Sequence, residues 1–261
     1  MAVCALCGSE GRLMKSHLMP AAAYRSLRND GISGNSSPLL VDFNSSRAYS
    51  TDKQIKMEFL CSTCELRFSK RGEDRMAHLW ATEKGFPLLH SLTAVGVAGG
   101  GGRAVYPPHL IDEDANDALL YFGASVIWRS NCWEKKGKEL SHVRSLGERY
   151  ERVFREYLLG NTNSMQGVKL LVIVNTNQNI MGCFSLPCHG RKDSVMFHKF
   201  HVLGVYFNFI VGSYVPAQLA APFKRFGTDI LITSADMAST PQILDLAVRL
   251  QRVEVRGKTK H

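Results

Sequence analysis

Two C-x-x-C pairs constrain the fold of this chain more than any other feature of its sequence. Cys4 and Cys7 form the first pair, with Gly8 directly after it, and Cys61 and Cys64 form the second. A zinc ion takes four tetrahedral ligands, binding thiolate sulfur at about 2.3 Å, and one C-x-x-C turn can place two sulfurs on the same ion. We therefore predict that these four cysteines bind one structural zinc ion. The alternative is that the pairs are redox-active or unrelated to each other.

Composition favours a reducing compartment and an anionic partner. The chain has seven cysteines, and an odd number with short paired spacings is typical of metal ligation, not of a disulfide framework. The formal net charge is +9 and the pI is about 9.3, which makes nucleic acid the first partner to consider. The N-terminal residues lack the basic and apolar segments of a signal peptide, so we expect a cytoplasmic protein.

One uncharged stretch, residues 202–223, has the length of a membrane helix. It contains Gly, Asn and Pro, and its first half is rich in residues that favour strands. We therefore predict two strands joined at Gly212 and Ser213, and no membrane span.

The chain as a whole is predicted to be α+β, in two parts. Residues 1–92 are irregular apart from one helix from Cys64 to about Trp80, with Gly72 as its weak point, and a bound metal can replace the core that such a segment lacks. A four-glycine run indicates a linker over 93–106; no Lys-Ser/Thr follows it, which argues against a phosphate-binding loop. Residues 107–261 are predicted to form an α+β domain with a small sheet flanked by helices.

Within that second part, hydrophobic periodicity and capping residues predict three helices, over 112–127, 143–159 and 240–253. Short apolar, β-branched runs predict strands over 168–175, 181–186, 199–209 and 229–233. Trp128 and Trp133 are interpreted as core anchors. A second zinc site involving Cys188, His189, His198 and His201 is not favoured, because the spacing between the two pairs is loose and because His198 and His201, three residues apart, would point to opposite faces of a strand.

Between the cysteine pairs lies the segment Lys15-Ser16-His17-Leu18-Met19-Pro20. Together with the two C-x-x-C pairs and with Glu65 after the second, it resembles the HNH endonuclease superfamily over roughly residues 1–80. That family has a treble-clef, ββα-metal zinc fold, in which the first cysteine pair is followed by an acidic residue, a histidine, two apolar residues and a proline. The similarity is strongest to the variant in bacterial and phage-defence proteins that has Ser-His before the proline.

The resemblance implies that His17 is a general base, which activates water to attack a phosphodiester. A histidine suits this role because it titrates near pH 6.5. The resemblance also implies a catalytic Mg²⁺ or Mn²⁺ ion that neutralises charge on the scissile phosphate. Ser16 stands where the family has an acidic metal ligand, and Glu65 stands where it has Asn or His. Glu65 could hold the ion, and Glu73, eight residues on and about 80° around an ideal helix, could be a second ligand.

These patterns lead to a hypothesis of a metal-dependent HNH-like endonuclease with a structural zinc ion. DNA is the expected partner, with RNA and homo-oligomerisation through the C-terminal domain left open. The rival is a catalytically silent treble-clef module that binds nucleic acid or protein, with the C-terminal domain as a ligand sensor. The loss of an acidic residue at Ser16 keeps that rival open. His17 could instead be a packed histidine, and Glu65 and Glu73 could cap a helix or form surface ion pairs.

Overall fold

The computed structural model describes residues 2–28, 37–42, 45–95, 103–134 and 142–256. We refer to residues 2–95 as the N-terminal region and to residues 103–256 as the C-terminal region. The expected α+β fold class is confirmed, since the chain combines eight α-helices with four sheets in the described residues.

The N-terminal region is assembled from short strands. Two antiparallel pairs surround the first cysteine pair and His17: β1 (Ala2–Val3) with β2 (Glu10–Gly11), and β3 (Leu13–His17) with β6 (Lys56–Cys61). The chain between β3 and β6 contains α1 (Ala21–Arg28), β4 (Leu39–Asp42) and β5 (Arg47–Ser50). β4 and β5 form a small sheet that also receives β13 (Glu254–Arg256) from the far end of the chain.

One continuous helical segment follows the second cysteine pair. It consists of α2 (Ser62–Phe68), a π-helical turn (Ser69–Glu73) and α3 (Asp74–Met76), and α4 (Pro87–Val95) comes later in the region. The weak point predicted at Gly72 coincides with the π turn. A Cβ atom at Gly72 would lie 3.2 Å from the Cα of Phe122, so the missing side chain lets the backbones of two helices approach closely.

The C-terminal region contains a six-stranded sheet in the order β7-β12-β8-β11-β10-β9. Its strands are β7 (Arg103–Tyr106), β8 (Val168–Asn175), β9 (Cys188–Lys192), β10 (Val195–Val202), β11 (Val205–Val211) and β12 (Ile230–Ala235). All neighbours are antiparallel except β8 and β12, which are parallel. The helices are α5 (Glu113–Cys132), α6 (Gly147–Leu159), α7 (Ala217–Phe226) and α8 (Pro241–Leu250).

This sheet is larger than the predicted one, and several strand predictions need correction. The run 199–209 is a hairpin and not a single strand, because the chain turns at Leu203 and Gly204, both with positive φ. The run 181–186 makes only one isolated bridge, at Phe184. The piece after Gly212 and Ser213 forms α7, not a second strand.

Helix α5 is the centre of the molecule. Most of its residues are buried on all sides, since it packs between the sheet and the N-terminal region. Trp128 and Trp133 are both buried, which confirms their interpretation as core anchors. On the N-terminal side they contact Phe59, and on the sheet side Phe122 contacts Phe207.

The two predicted domains, 1–92 and 107–261, therefore share one apolar core. The predicted linker 93–106 begins within the last turn of α4 and ends with β7, and residues 96–102 between them, including the glycine run, lie outside the described residues. Among the helices that the structure describes, none combines the length and the apolar character that crossing a membrane requires.

Candidate zinc centre and His17 site

The four predicted zinc ligands meet in one place. Cys4 and Cys7 lie in the turn between β1 and β2, Cys61 is the last residue of β6, and Cys64 is in the first turn of α2. All four sulfur atoms lie within 4.8 Å of one another. The Sγ atoms of Cys7 and Cys61 are 3.8 Å apart, which is about the separation of two sulfurs bound at 2.3 Å to one tetrahedral ion. The donor set therefore fits zinc.

The backbone prepares this arrangement. In the first turn, the amide of Gly8 donates to the carbonyl of Cys4 at 3.0 Å, and Gly8 has a φ of +73°, which glycine adopts without strain. The amide of Cys61 donates to the sulfur of Cys4 at 3.3 Å. This contact joins the two cysteine pairs and stabilises negative charge on the sulfur.

Cys4, Cys7 and Cys64 differ in acidity. A hydrogen bond with Ser9 lowers the pKa of Cys7 to about 6, whereas burial raises the pKa of Cys4 and of Cys64. Two of the four sulfurs therefore lie in an environment that disfavours free thiolates. A zinc ion removes this penalty because it replaces their protons and neutralises their charge.

His17 is the last residue of β3 and pairs with Lys56, at the end of the β3–β6 ladder away from Cys61. A β-bulge shifts the pairing of β3 with β6 between Met14 and Lys15, so that Ser16 is directed into the core and His17 is half-buried. The Nε2 atom of His17 lies 2.7 Å from Oε1 of Gln54. Because a carboxamide oxygen can only accept, this bond places the imidazole proton on Nε2 and leaves the lone pair on Nδ1.

Glu65 and Glu73 both connect the helical segment to β3. The buried hydroxyl of Ser16 donates to Oε2 of Glu65 at 2.6 Å. Glu73 pairs through Oε1 with the guanidinium of Arg129 at 2.7 Å, and the same guanidinium donates to the backbone carbonyl of His17 at 2.7 Å. Glu65 thus contacts the Ser16-His17 dipeptide directly, and Glu73 reaches it through Arg129.

The π turn explains how two glutamates eight residues apart serve the same strand. On an ideal helix they would be separated by about 80°. A π turn holds about one residue more than an α turn, which reduces this offset to roughly 20°. Residues 69–73 form that turn, so Glu65 and Glu73 lie on nearly the same face.

The acidic residues and His17 do not form a second preformed metal cluster. In the part of the chain that the structure describes, the four cysteines are the only group of three or more His, Cys, Asp or Glu side chains placed to hold one ion. His198 and His201 point to opposite faces of β10, as predicted, because His198 lies against His142 in the core while His201 contacts Cys183.

Two residues of this site were missed by the sequence analysis. Gln54 lies in an irregular segment just before β6, and Arg129 lies far away in the chain, on a helix of the other region. A buried position for Arg129 could have been suspected, because it is the only basic residue within the apolar α5. Its partners could not have been identified without the structure.

No protein-family model matches the chain, and no curated protein or solved structure is significantly similar to it.

Proposed function

We propose that the chain is a metal-dependent, HNH-like endonuclease that hydrolyses phosphodiester bonds in DNA. The observation that supports this most is the placement of His17. It ends a strand that pairs antiparallel with the strand leading into the cysteine-bound helix, and two glutamates of that helical segment reach the same dipeptide. This is the strand–strand–helix order that the treble-clef resemblance implies, and we include that fold in the proposal.

In this site His17 is the general base. Gln54 fixes the ring by accepting from Nε2, so that Nδ1 is free to take a proton from an attacking water. The carboxamide thereby fixes the orientation of the ring.

Glu65 is the proposed ligand for the catalytic ion. Its carboxylate can accept from Ser16 through Oε2 and bind a divalent cation through Oε1. In this arrangement Ser16 is not itself a metal ligand; it orients the carboxylate that is. Magnesium is commonly held by only one or two protein carboxylates, with water and substrate phosphate completing its shell. When bound, such an ion would stabilise charge on the phosphate.

Three exposed lysines close to His17 in strand pairing or in sequence support a nucleic-acid substrate. Lys56 lies directly opposite His17 in the β3–β6 pairing, Lys15 is two residues before it on β3, and Lys53 is next to Gln54, the hydrogen-bond partner of His17. Exposed ammonium groups can neutralise phosphates on either side of a scissile bond.

The decisive experiment removes the imidazole. His17→Ala should lose Mg²⁺- or Mn²⁺-dependent DNA cleavage by about 10²–10⁴-fold, the usual contribution of a general base. Its zinc content, helix content and DNA affinity should match those of the parent. His90→Ala, which removes an exposed histidine in the same region, is the control and should cleave normally. Glu65→Gln should also lose cleavage, but higher metal concentrations should partly restore it.

One observation favours the rival function, a silent module that binds nucleic acid or protein. The carboxylate of Glu73 is neutralised by a buried guanidinium, which weakens it as a ligand for a cation. If the parent protein cleaves neither DNA nor RNA with Mg²⁺ or Mn²⁺ but binds them, the endonuclease proposal fails and the silent module replaces it.

A further inference from the structure

Arg129 is a buried arginine that joins the two regions at the proposed site. Its side chain is 1% exposed, and it projects from α5 in the C-terminal region. One terminal nitrogen donates to the carbonyl of His17 at 2.7 Å, and the other pairs with Glu73 at 2.7 Å. On its own helix it donates to the backbone carbonyl and the hydroxyl of Ser125, both at 3.3 Å.

These contacts use the geometry that only arginine provides. A guanidinium is planar and presents several donors in fixed directions, so it can bind two acceptors on different elements at once, whereas a lysine ammonium is a point charge. The guanidinium also lies 5.3 Å from the ring centre of Phe68, which closes the site on one side. A charge taken out of water at this depth is tolerated only because each of its nitrogens has a partner.

The two acceptors belong to elements that must be aligned for the proposed chemistry. His17 ends β3, and Glu73 ends the π turn, so Arg129 links strand and helical segment at a second point, in addition to the Ser16–Glu65 bond. The bond to the His17 carbonyl holds the backbone from which the imidazole projects. Gln54 then orients the ring itself.

We propose that Arg129 is a positioning residue for His17, with Glu73 as its anchor, so that the C-terminal region completes the site in the N-terminal region. This rests on the proposed function as far as cleavage is concerned. In this arrangement Glu73 acts through Arg129, and Glu65 is the carboxylate left for the ion.

A second ion pair provides a matched control. Arg75 and Asp114 also join the helical segment to α5, at 3.2 Å, but both side chains are exposed and neither contacts His17, Glu65 or Glu73. Removing this pair tests the effect of loosening the same helix–helix contact. Removing the Arg129 pair tests the effect on the site.

The test uses the full chain with ¹³C-labelled histidine and compares Arg129→Lys, Glu73→Gln and Asp114→Asn. The Cε1 signal of His17 is assigned by its loss in His17→Ala. We expect Arg129→Lys and Glu73→Gln to move this signal and to lower kcat by about 10–100-fold with little change in KM, because a displaced base loses alignment and not substrate binding. Asp114→Asn should leave the signal and kcat unchanged.

The outcomes separate this inference from the proposed function. If both site variants leave the His17 signal where it is, or if Asp114→Asn moves it equally, Arg129 is not a positioning residue. If the parent cleaves nothing, the endonuclease proposal fails, and the His17 signal still decides whether Arg129 holds the histidine. Should Arg129→Lys not fold, Glu73→Gln, which keeps an oxygen for the guanidinium, decides alone.

Discussion

The strands that carry the C-terminal sheet bury long rows of apolar side chains, whereas the strands of the N-terminal region are shorter and bury few side chains. β8 and β10 each have eight residues and β11 has seven, and alternate residues along them are buried. In contrast, β1 and β2 have two residues each. The difference shows two ways of fixing a structure. The C-terminal region is held by the area and shape of its core, whereas the N-terminal region adds a few directional bonds to its share of the common core.

The largest effect should follow from loss of zinc. Cys61→Ser, or a strong chelator, removes a bond network that contributes on the order of 10 kcal/mol in small zinc modules. We expect amides of β1, β2, β3 and α2 to lose protection from hydrogen exchange while those of β8 and β11 keep it. Elemental analysis should return one zinc per parent chain.

The comparison fails if the sheet loses protection together with the N-terminal strands. The shared core would then make the chain a single cooperative unit, and the few directional bonds would be no separate source of stability. A parent protein that is folded in both regions and contains no zinc would contradict the zinc centre itself.

The same contrast explains which features could be predicted from sequence. The cysteine cluster could be predicted because each pair is local and its chemistry demands a partner pair. The long strand β8 could be predicted from its continuous apolar run. The hairpin turn at Leu203 and Gly204 could not be recognised in the sequence, because apolar residues continue through it. The edge strand β9 could not be recognised either, because all five of its residues are exposed and it has no apolar pattern.

The contacts of the His17 site could not be predicted, for a different reason. The bond from Arg129 to His17 joins residues 112 positions apart, and nothing in the local pattern of either residue specifies the other. The π turn that aligns Glu65 with Glu73 likewise lies where α5 approaches closely at Gly72. Such contacts follow from tertiary packing and not from periodicity.

Acid should destabilise the C-terminal region through the histidines in its core. His142 and His198 are both buried, and Nε2 of His142 lies 2.9 Å from Nδ1 of His198. Burial, together with the neighbouring histidines, lowers the pKa of His142 to about 3 and that of His198 to about 4. The neutral forms are therefore favoured in the folded state, and their contribution to stability is complete above the unfolded pKa of about 6.5.

Below pH 6.5 His142 and His198 bind protons in the unfolded chain but stay neutral in the folded chain, because their pKa values are lowered there. The free energy of unfolding should then fall by about 1.4 kcal/mol per pH unit for each such histidine, down to about pH 4 for His198. Urea unfolding between pH 7.5 and 4.5 measures this slope. His198→Leu should show a slope smaller by about 1.4 kcal/mol per pH unit, the contribution of one proton. Acid affects the cysteine cluster alike in both proteins, so parallel curves would contradict the assignment to His198.

The smallest expected effect tests whether the C-terminal core is held by shape as well as by area. Gly123 lies in α5 against β11, and a Cβ atom there would come within 2.9 Å of the rings of Phe207 and Phe209. Neither ring can move easily, because Phe207 stacks on Phe200 with 4.6 Å between the ring centroids, and Phe209 packs against Phe154 with 5.6 Å between the ring centroids.

Overpacking costs about 1–3 kcal/mol, and the higher helix propensity of Ala over Gly offsets up to about 1 kcal/mol of this cost. Gly123→Ala should therefore lower the free energy of unfolding by about 1–2 kcal/mol in denaturant titrations. Gly190→Ala, on the exposed edge strand β9 with no atom within 4 Å of the new Cβ, should change it little. If Gly123→Ala instead raised the free energy of unfolding, the core would have adjusted to the added methyl group. Buried apolar area, and not a precise fit of side chains, would then hold this region.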